Sequence, residues 1–302
     1  MLLIAMDSDK GEPVAIGVAA INAGAYASPD VLSEVAQQAE ANGLDSLWVI
    51  EHVVMPRPRM QGAPLDPDHP ILDPVVALAF VAARTRSILL ATGIVVLPHR
   101  NPLILAKEIA SLDVLSRGRV IFGFGVGYFE PEFKALRTPF SHRGTQADSY
   151  LEAMKAIWTD STSAAAGFTV SEIGTRPRPV QQPYPPIVVG GRTPAAFRRA
   201  ALVAKGWYGY GLDVAEAQRA IDGLRLAEEM YGRPPELGRI EVTITVPGNI
   251  DAETAQKYAA LGVNRINLLP PAQPDPANIR LFVEHGNLLR SRVVRSGLGA
   301  GD

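Results

Sequence analysis

Residues 88–125 read ILLATGIVVLPHRNPLILAKEIASLDVLSRGRVIFGFG, and they contain two apolar runs separated by a stretch of different period. The first run, 88–96, is rich in β-branched residues and predicts a strand. Asn101-Pro102 then offers an N-cap followed by proline at the first helical position. Apolar residues recur at helical spacing through Leu112 and Leu115 to a stop at Gly118. A second strand is expected over 120–124. Strand, helix, strand within forty residues is a parallel crossover, because antiparallel neighbours need only a short turn.

The same unit repeats on both sides. Upstream, strands are expected over 14–20 and 46–50. Between them Ser28-Pro29 opens a helix that carries Val31, Leu32, Val35, Ala36 and Ala39 on one face. Asp73-Pro74 opens another that runs to about 85. Downstream, strands are expected over 187–189, 207–210, 240–246 and 266–269, and helices over 141–158, 193–205, 214–231, 252–261 and from 275 onward. Eight strand–helix pairs in strict order favour a closed (β/α)8 TIM barrel in a single domain spanning 1–302. An open doubly wound sheet is the alternative. Residues 162–186 break the pattern and read as an inserted hairpin or excursion, and the loops at the C-terminal face are long.

The chain has 302 residues, with 29 Lys+Arg against 31 Asp+Glu and a formal charge of −2. Such a balance offers no basic surface for nucleic acid or an anionic membrane. No cysteine is present, which removes disulfides, thiolate metal sites and thiol nucleophiles together. The opening residues lack a signal-peptide pattern, and no apolar stretch reaches membrane-spanning length. A soluble cytoplasmic protein is the expectation.

In a barrel of this kind the active site lies where the strands end. Four such places carry residues that a packed core would not select. Glu51-His52 follows the apolar Trp48-Val49-Ile50. That pair can orient a substrate, move a proton, join a metal site, or simply mark a strand entering solvent. His69, His99, His142 and His285 show no ligand spacing, so no metal is expected. Thr92-Gly93-Ile94 sits inside a strand, where glycine marks a bulge or the close approach of a ligand. Gly123, Gly125 and Gly127 alternate at a strand end without the dinucleotide register, and Glu130 or Glu132 follows as a candidate acid. Gly190-Gly191-Arg192-Thr193 leads directly into a helix, an arrangement suited to phosphate. The Pro-rich loop 55–70 reads as a lid, with Arg57 and Arg59 available to an acidic cofactor tail. Trp48, Tyr128, Phe129 and Phe133 near the mouth fit an uncharged, partly apolar substrate.

The segments LWVIEHVVMP, ATGIVVLPHRNPLILAKEIASLDVLSRGRVIFGFGVGYFEPEF and VVGGRTPAAFRRAA, in this order, resemble the bacterial luciferase-like monooxygenase family. Within it, the likeness is to the branch that uses the deazaflavin coenzyme F420. The motifs cover about 14–205, and the remainder matches only as barrel pattern. The resemblance implies an oxidoreductase passing a hydride between F420 and a small organic substrate. His52 would face the ring as the catalytic residue, with Glu51 and Glu130 as supporting acids. Gly93-Ile94 would form a cis peptide behind the ring, beside Thr92. Gly125 and Gly127 would flank the cofactor, and Gly190, Gly191, Arg192 and Thr193 would hold its phosphate. Two features depart from the family's sugar-phosphate dehydrogenases: Glu51 stands for Asp, and Tyr128-Phe129 replace small residues. Both point away from a sugar-phosphate substrate. The alternatives are an FMN-dependent monooxygenase fed by a separate reductase and, from another class, a non-catalytic cofactor-binding protein. A homodimer is implied by the same likeness.

Overall fold

The computed structural model describes residues 13–161 and 175–295. Its strands are β1 (Ala15–Val18), β2 (Ser46–Val49), β3 (Leu89–Thr92), β4 (Val95–Val96), β5 (Val120–Gly125), β6 (Ile187–Gly190), β7 (Gly206–Tyr210), β8 (Glu241–Thr245) and β9 (Arg265–Leu268). All pair in parallel. β1 bonds to both β2 and β9, and β3 bonds to β5, so the sheet closes on itself. β3 and β4 are two halves of one barrel strand, and the architecture is the expected eight-stranded (β/α)8 TIM barrel.

Helices alternate with the strands: α1 (Pro29–Ala41), α2 (Pro74–Arg84), α3 (Pro102–Ser116), α4 (Glu130–Ala135), α5 (Arg143–Thr159), α6 (Pro194–Val203), α7 (Val214–Tyr231), α8 (Ala252–Ala260) and α9 (Pro276–Arg292). Several start as the sequence indicates. Asp73 and Asn101 accept hydrogen bonds from the first-turn amides of α2 and α3, and Asp213 completes a capping box with Glu216. The short α4 is an addition to the expected elements. No helix among the described residues is long and apolar enough to cross a membrane.

Strand alternation sorts the side chains into two cores. Ile16, Leu47, Leu90, Phe122, Val189, Ile244 and Ile266 face the helices and join the large outer core. Ala19, Trp48, Ala91, Ile121, Val188 and Tyr208 fill the barrel, with Ile94 and Leu269 packed against them. Trp48 and Tyr208 stack with centroids 5.1 Å apart and planes 8° apart.

The split between β3 and β4 is a β-bulge. Ala91 lies opposite Ile121 and Val95 opposite Phe124, so one extra residue is accommodated on the β3–β4 side. The Gly93–Ile94 peptide within it is cis. Where the ladder is interrupted, the Thr92 hydroxyl takes over: it accepts from the Gly123 N–H (2.8 Å) and donates to the Gly123 carbonyl (2.6 Å). The two walls are so close that a Cβ on Gly123 would lie 1.9 Å from the Thr92 carbonyl oxygen.

Of the excursion expected over 162–186, residues 162–174 lie outside those described. Residues 175–186 contain no strand and so supply no hairpin arm. Pro177, Pro179, Pro183, Pro185 and Pro186 have no N–H to give to a ladder. The segment is instead fastened to α3, where the buried Asp113 carboxylate accepts from the Val180 and Gln181 amides.

Thr92→Val keeps the shape and deletes the hydroxyl, leaving a buried N–H and a buried carbonyl unpaired. The expected loss is about 2–4 kcal/mol of unfolding free energy, read from a urea or guanidinium titration. A loss under about 0.5 kcal/mol would show that the wall does not depend on this bridge.

Candidate active site at the barrel mouth

The loop after β2 brings His52 to the C-terminal end of the barrel. Its Nδ1 lies 3.1 Å from Glu132 Oε2 on α4. The imidazole is 14% exposed and the carboxyl 2%. The other oxygen of Glu132 accepts from the Val53 amide at 2.5 Å, so one buried carboxylate fixes both the ring and the chain that carries it. Burial alone would raise the Glu132 pKa. Hydrogen bonds from the His52 ring and the Val53 amide hold it below the ordinary value. His52 Nε2 makes no hydrogen bond among the described residues and remains available for proton transfer. Tyr128 meets the ring edge-on at 6.3 Å.

Glu132 therefore has the position expected of Glu130, which lies exposed at the start of α4. Glu51 differs as well. It is 5% exposed and accepts from the Val96 amide and the Arg100 guanidinium, while Arg100 also reaches Asp73 at 2.5 Å. Its carboxylate braces β2, β4 and the start of α3, and is not paired with its neighbour His52. Burial raises the Glu51 pKa, and Arg100 opposes the rise.

The glycines serve the bulge. Ile94 points across the mouth toward Gly125 and Gly190, where added Cβ atoms would lie 2.7 and 2.8 Å from its side chain. Gly127 has φ +75°, and a Cβ there would meet Phe133 and Val96. These positions make room for protein side chains, which leaves the Ile94 side chain half-buried above the stacked Trp48 and Tyr208. Gly191, Arg192 and Thr193 are exposed at the first turn of α6. The Thr193 hydroxyl caps the helix by accepting from Ala196 N, and the Gly191 carbonyl accepts from the Trp207 indole at 2.7 Å. Arg192 is 59% exposed and only loosely faces Glu216, at 3.8 Å. Trp48, Phe129 and Phe133 are buried, and Tyr128 is 67% exposed.

The 55–70 loop is irregular and largely exposed. Arg57 is paired with Asp68 inside the loop, whereas Arg59 has no such partner among the described residues. Both ends are pinned by the wholly buried Asn22, which donates to the Ile50 and Leu72 carbonyls and accepts from Ile50 N. A cavity of about 390 Å3 separates Val54 and the loop residues Met55 and Met60 from Glu130 and Lys134 of α4.

Asn22 and His99 had no signal in the sequence. His99 packs on Phe133 at 4.2 Å between centroids, and both ring nitrogens are buried with no hydrogen-bond partner among the described residues. Burial lowers its pKa from 6.5, the Glu132 charge opposing and those of His52 and Arg100 assisting. No group of three or more His, Cys, Asp and Glu able to hold a metal occurs among the described residues.

The unfolded chain thus takes up a proton at His99 near pH 6.5 while the folded ring stays neutral. Folding stability falls as pH drops through 6.5, until the folded pKa is passed. His99→Gln should flatten this part of the stability–pH curve, measured by denaturant titrations between pH 5 and 8. A curve identical to the parent's would show that His99 is not the group responsible.

The family model for luciferase-like monooxygenases matches residues 14–284. An uncharacterized protein of Mycobacterium tuberculosis is 36% identical over 245 residues, which cover 76% of this chain and 84% of the relative. The FMNH2-dependent dimethylsulfone monooxygenase of Pseudomonas putida is 27% identical over 143 residues, 46% of this chain and 39% of that one. Among solved structures, the coenzyme F420-dependent tetrahydromethanopterin reductase of Methanopyrus kandleri superposes with a TM-score of 0.70 at 16% identity, covering 90% of this chain and 98% of the other. With the barrel and the matched span in agreement, the chain is an oxidoreductase belonging to the luciferase-like monooxygenase family.

Proposed function

We propose that this enzyme is an F420-dependent oxidoreductase that moves a hydride between the deazaflavin and a small, uncharged, partly apolar organic molecule. The observation that carries the reading is His52 at the end of β2, anchored through Nδ1 to the buried Glu132. The surrounding residues fit a flat ring with a phosphate tail. Ile94 offers an apolar surface at the mouth, and the exposed turn 191–193 presents a helix start suited to phosphate. When bound, such a ring supplies the hydride-carrying chemistry. The chain's own part is to hold a proton at His52 Nε2, to stabilise the charged imidazole through Glu132, and to keep water from the mouth with the 55–70 loop. Glu51 supports this from behind by fixing β4 and hence Ile94.

A second reading, an FMN-dependent monooxygenase served by a separate reductase, is favoured by the likeness to the dimethylsulfone enzyme. We further propose a cytoplasmic homodimer. Exposed Val76 on α2 and Ile104 and Leu115 on α3, two helices packed together, supply an apolar face for a second copy.

Fluorescence titration with F420 and with FMN separates the two cofactor readings, since the ring with the lower Kd identifies the branch. His52→Ala should lower kcat by about 100-fold or more with little change in Tm. Full turnover in that variant would remove His52 from the mechanism. Because Arg192 is solvent-exposed, Arg192→Ala should weaken cofactor binding by only about 1 kcal/mol, and an unchanged Kd would leave the phosphate to the backbone alone. Light scattering should give the mass of two chains.

A further inference from the structure

The end of the barrel opposite the mouth encloses a cavity of about 160 Å3, walled by Leu89, Ile121, Val188, Thr243 and Arg265, with Lys205 beside them. Arg265 enters it from β9, and its guanidinium lies 5.8 Å from the ring centre of Trp48. The Arg265 Nε is buried with no hydrogen-bond partner among the described residues. A guanidinium keeps its charge even when burial lowers its pKa.

The acids within electrostatic reach are Glu241 and Asp45. Glu241 faces Lys205 at 3.9 Å, and Asp45 is held by Arg290 at 3.0 Å and by the Ile16 amide at 2.8 Å. Two cations therefore border the cavity against one carboxylate of its own. The cavity thus holds a surplus of positive charge and an unpaired Arg265 donor, which a protein interior rarely leaves without a partner.

We propose that this cavity binds a small inorganic oxyanion, held by the Arg265 fork with Lys205 and the Thr243 hydroxyl beside it. A planar guanidinium matches an oxyanion in two parallel hydrogen bonds. The volume admits a tetrahedral ion with a few waters, at roughly 30 Å3 per water. The site is distinct from the turn at α6, which lies at the other end of the strands and is exposed. It does not depend on which ring the enzyme uses.

Isothermal titration with inorganic phosphate, and thermal unfolding in phosphate against chloride of equal ionic strength, test it on the full chain. The expected result is saturable binding with a Tm rise of about 2 °C at ten times Kd. The response should persist in Arg192→Ala and, in Arg265→Met, fall to no more than the weak residual binding of the exposed turn before α6. Should Arg265→Met fail to fold, Lys205→Met should raise the phosphate Kd several-fold. Absence of saturable binding in the parent, meaning that the cavity holds only water, overturns the proposal. So does a response lost in Arg192→Ala and kept in Arg265→Met, or an unchanged Kd in Lys205→Met.

Discussion

One extra residue in the third barrel strand sets the arrangement of the mouth. The ladder between β3 and β5 cannot absorb it, so the strand breaks at Gly93–Ile94 and resumes in β4, next to the far end of β5. Ile94 is thereby turned across the barrel opening. Its presence there requires glycine at 125 and 190, because any Cβ would overlap its side chain. The hydrogen bonds lost at the break are replaced by the Thr92 hydroxyl, which occupies both polar groups of Gly123. Four residues that look unrelated along the chain thus answer to one local defect.

Two buried carboxylates then divide the work around that defect. Glu51 fastens β4 from behind, through the Val96 amide and Arg100. Glu132 fastens the chain in front, through Val53 and His52. Each is surrounded by donors, which is the condition for keeping a carboxylate charged out of water. Their consequences differ because of what each holds. Arg100 is always charged, so Glu51 sits in a fixed ion pair. His52 is a single ring anchored on one side only, through Nδ1, so the pair with Glu132 leaves its other nitrogen open toward the mouth. Adjacent residues in the sequence, Glu51 and His52, therefore end up in separate networks.

The barrel interior continues the same economy at its floor. Trp48 is the common wall: Tyr208 stacks on one side, and the Arg265 guanidinium approaches within cation–π range. Its indole N–H is satisfied by Ser46, two residues back on the same strand and therefore on the same face. Polar residues at inward-facing positions of β2, β8 and β9 give the lower barrel a different character from the apolar mouth around Ile94.

Hydrophobic period decided much about this protein without help from tertiary structure. Alternating strands and helices dictate parallel crossovers, and eight of them close more readily than they lie open. Asp73 and Asn101 declare their helix starts locally, since a cap bonds only to its own first turn. Glycine in the middle of a strong β run announced the bulge at 93–94, and His52 was marked by its place at a strand end. Pairing was another matter. That His52 meets Glu132 across 80 positions, that Glu51 turns to Arg100, and that Gly125 and Gly190 yield to Ile94 are facts about which elements become neighbours in space. Sequence spacing carries no record of them. His99, Asn22 and Arg265 were silent for the same reason: a polar side chain acquires its meaning from what burial takes away and what the surrounding walls give back, and those walls exist only once the barrel has closed.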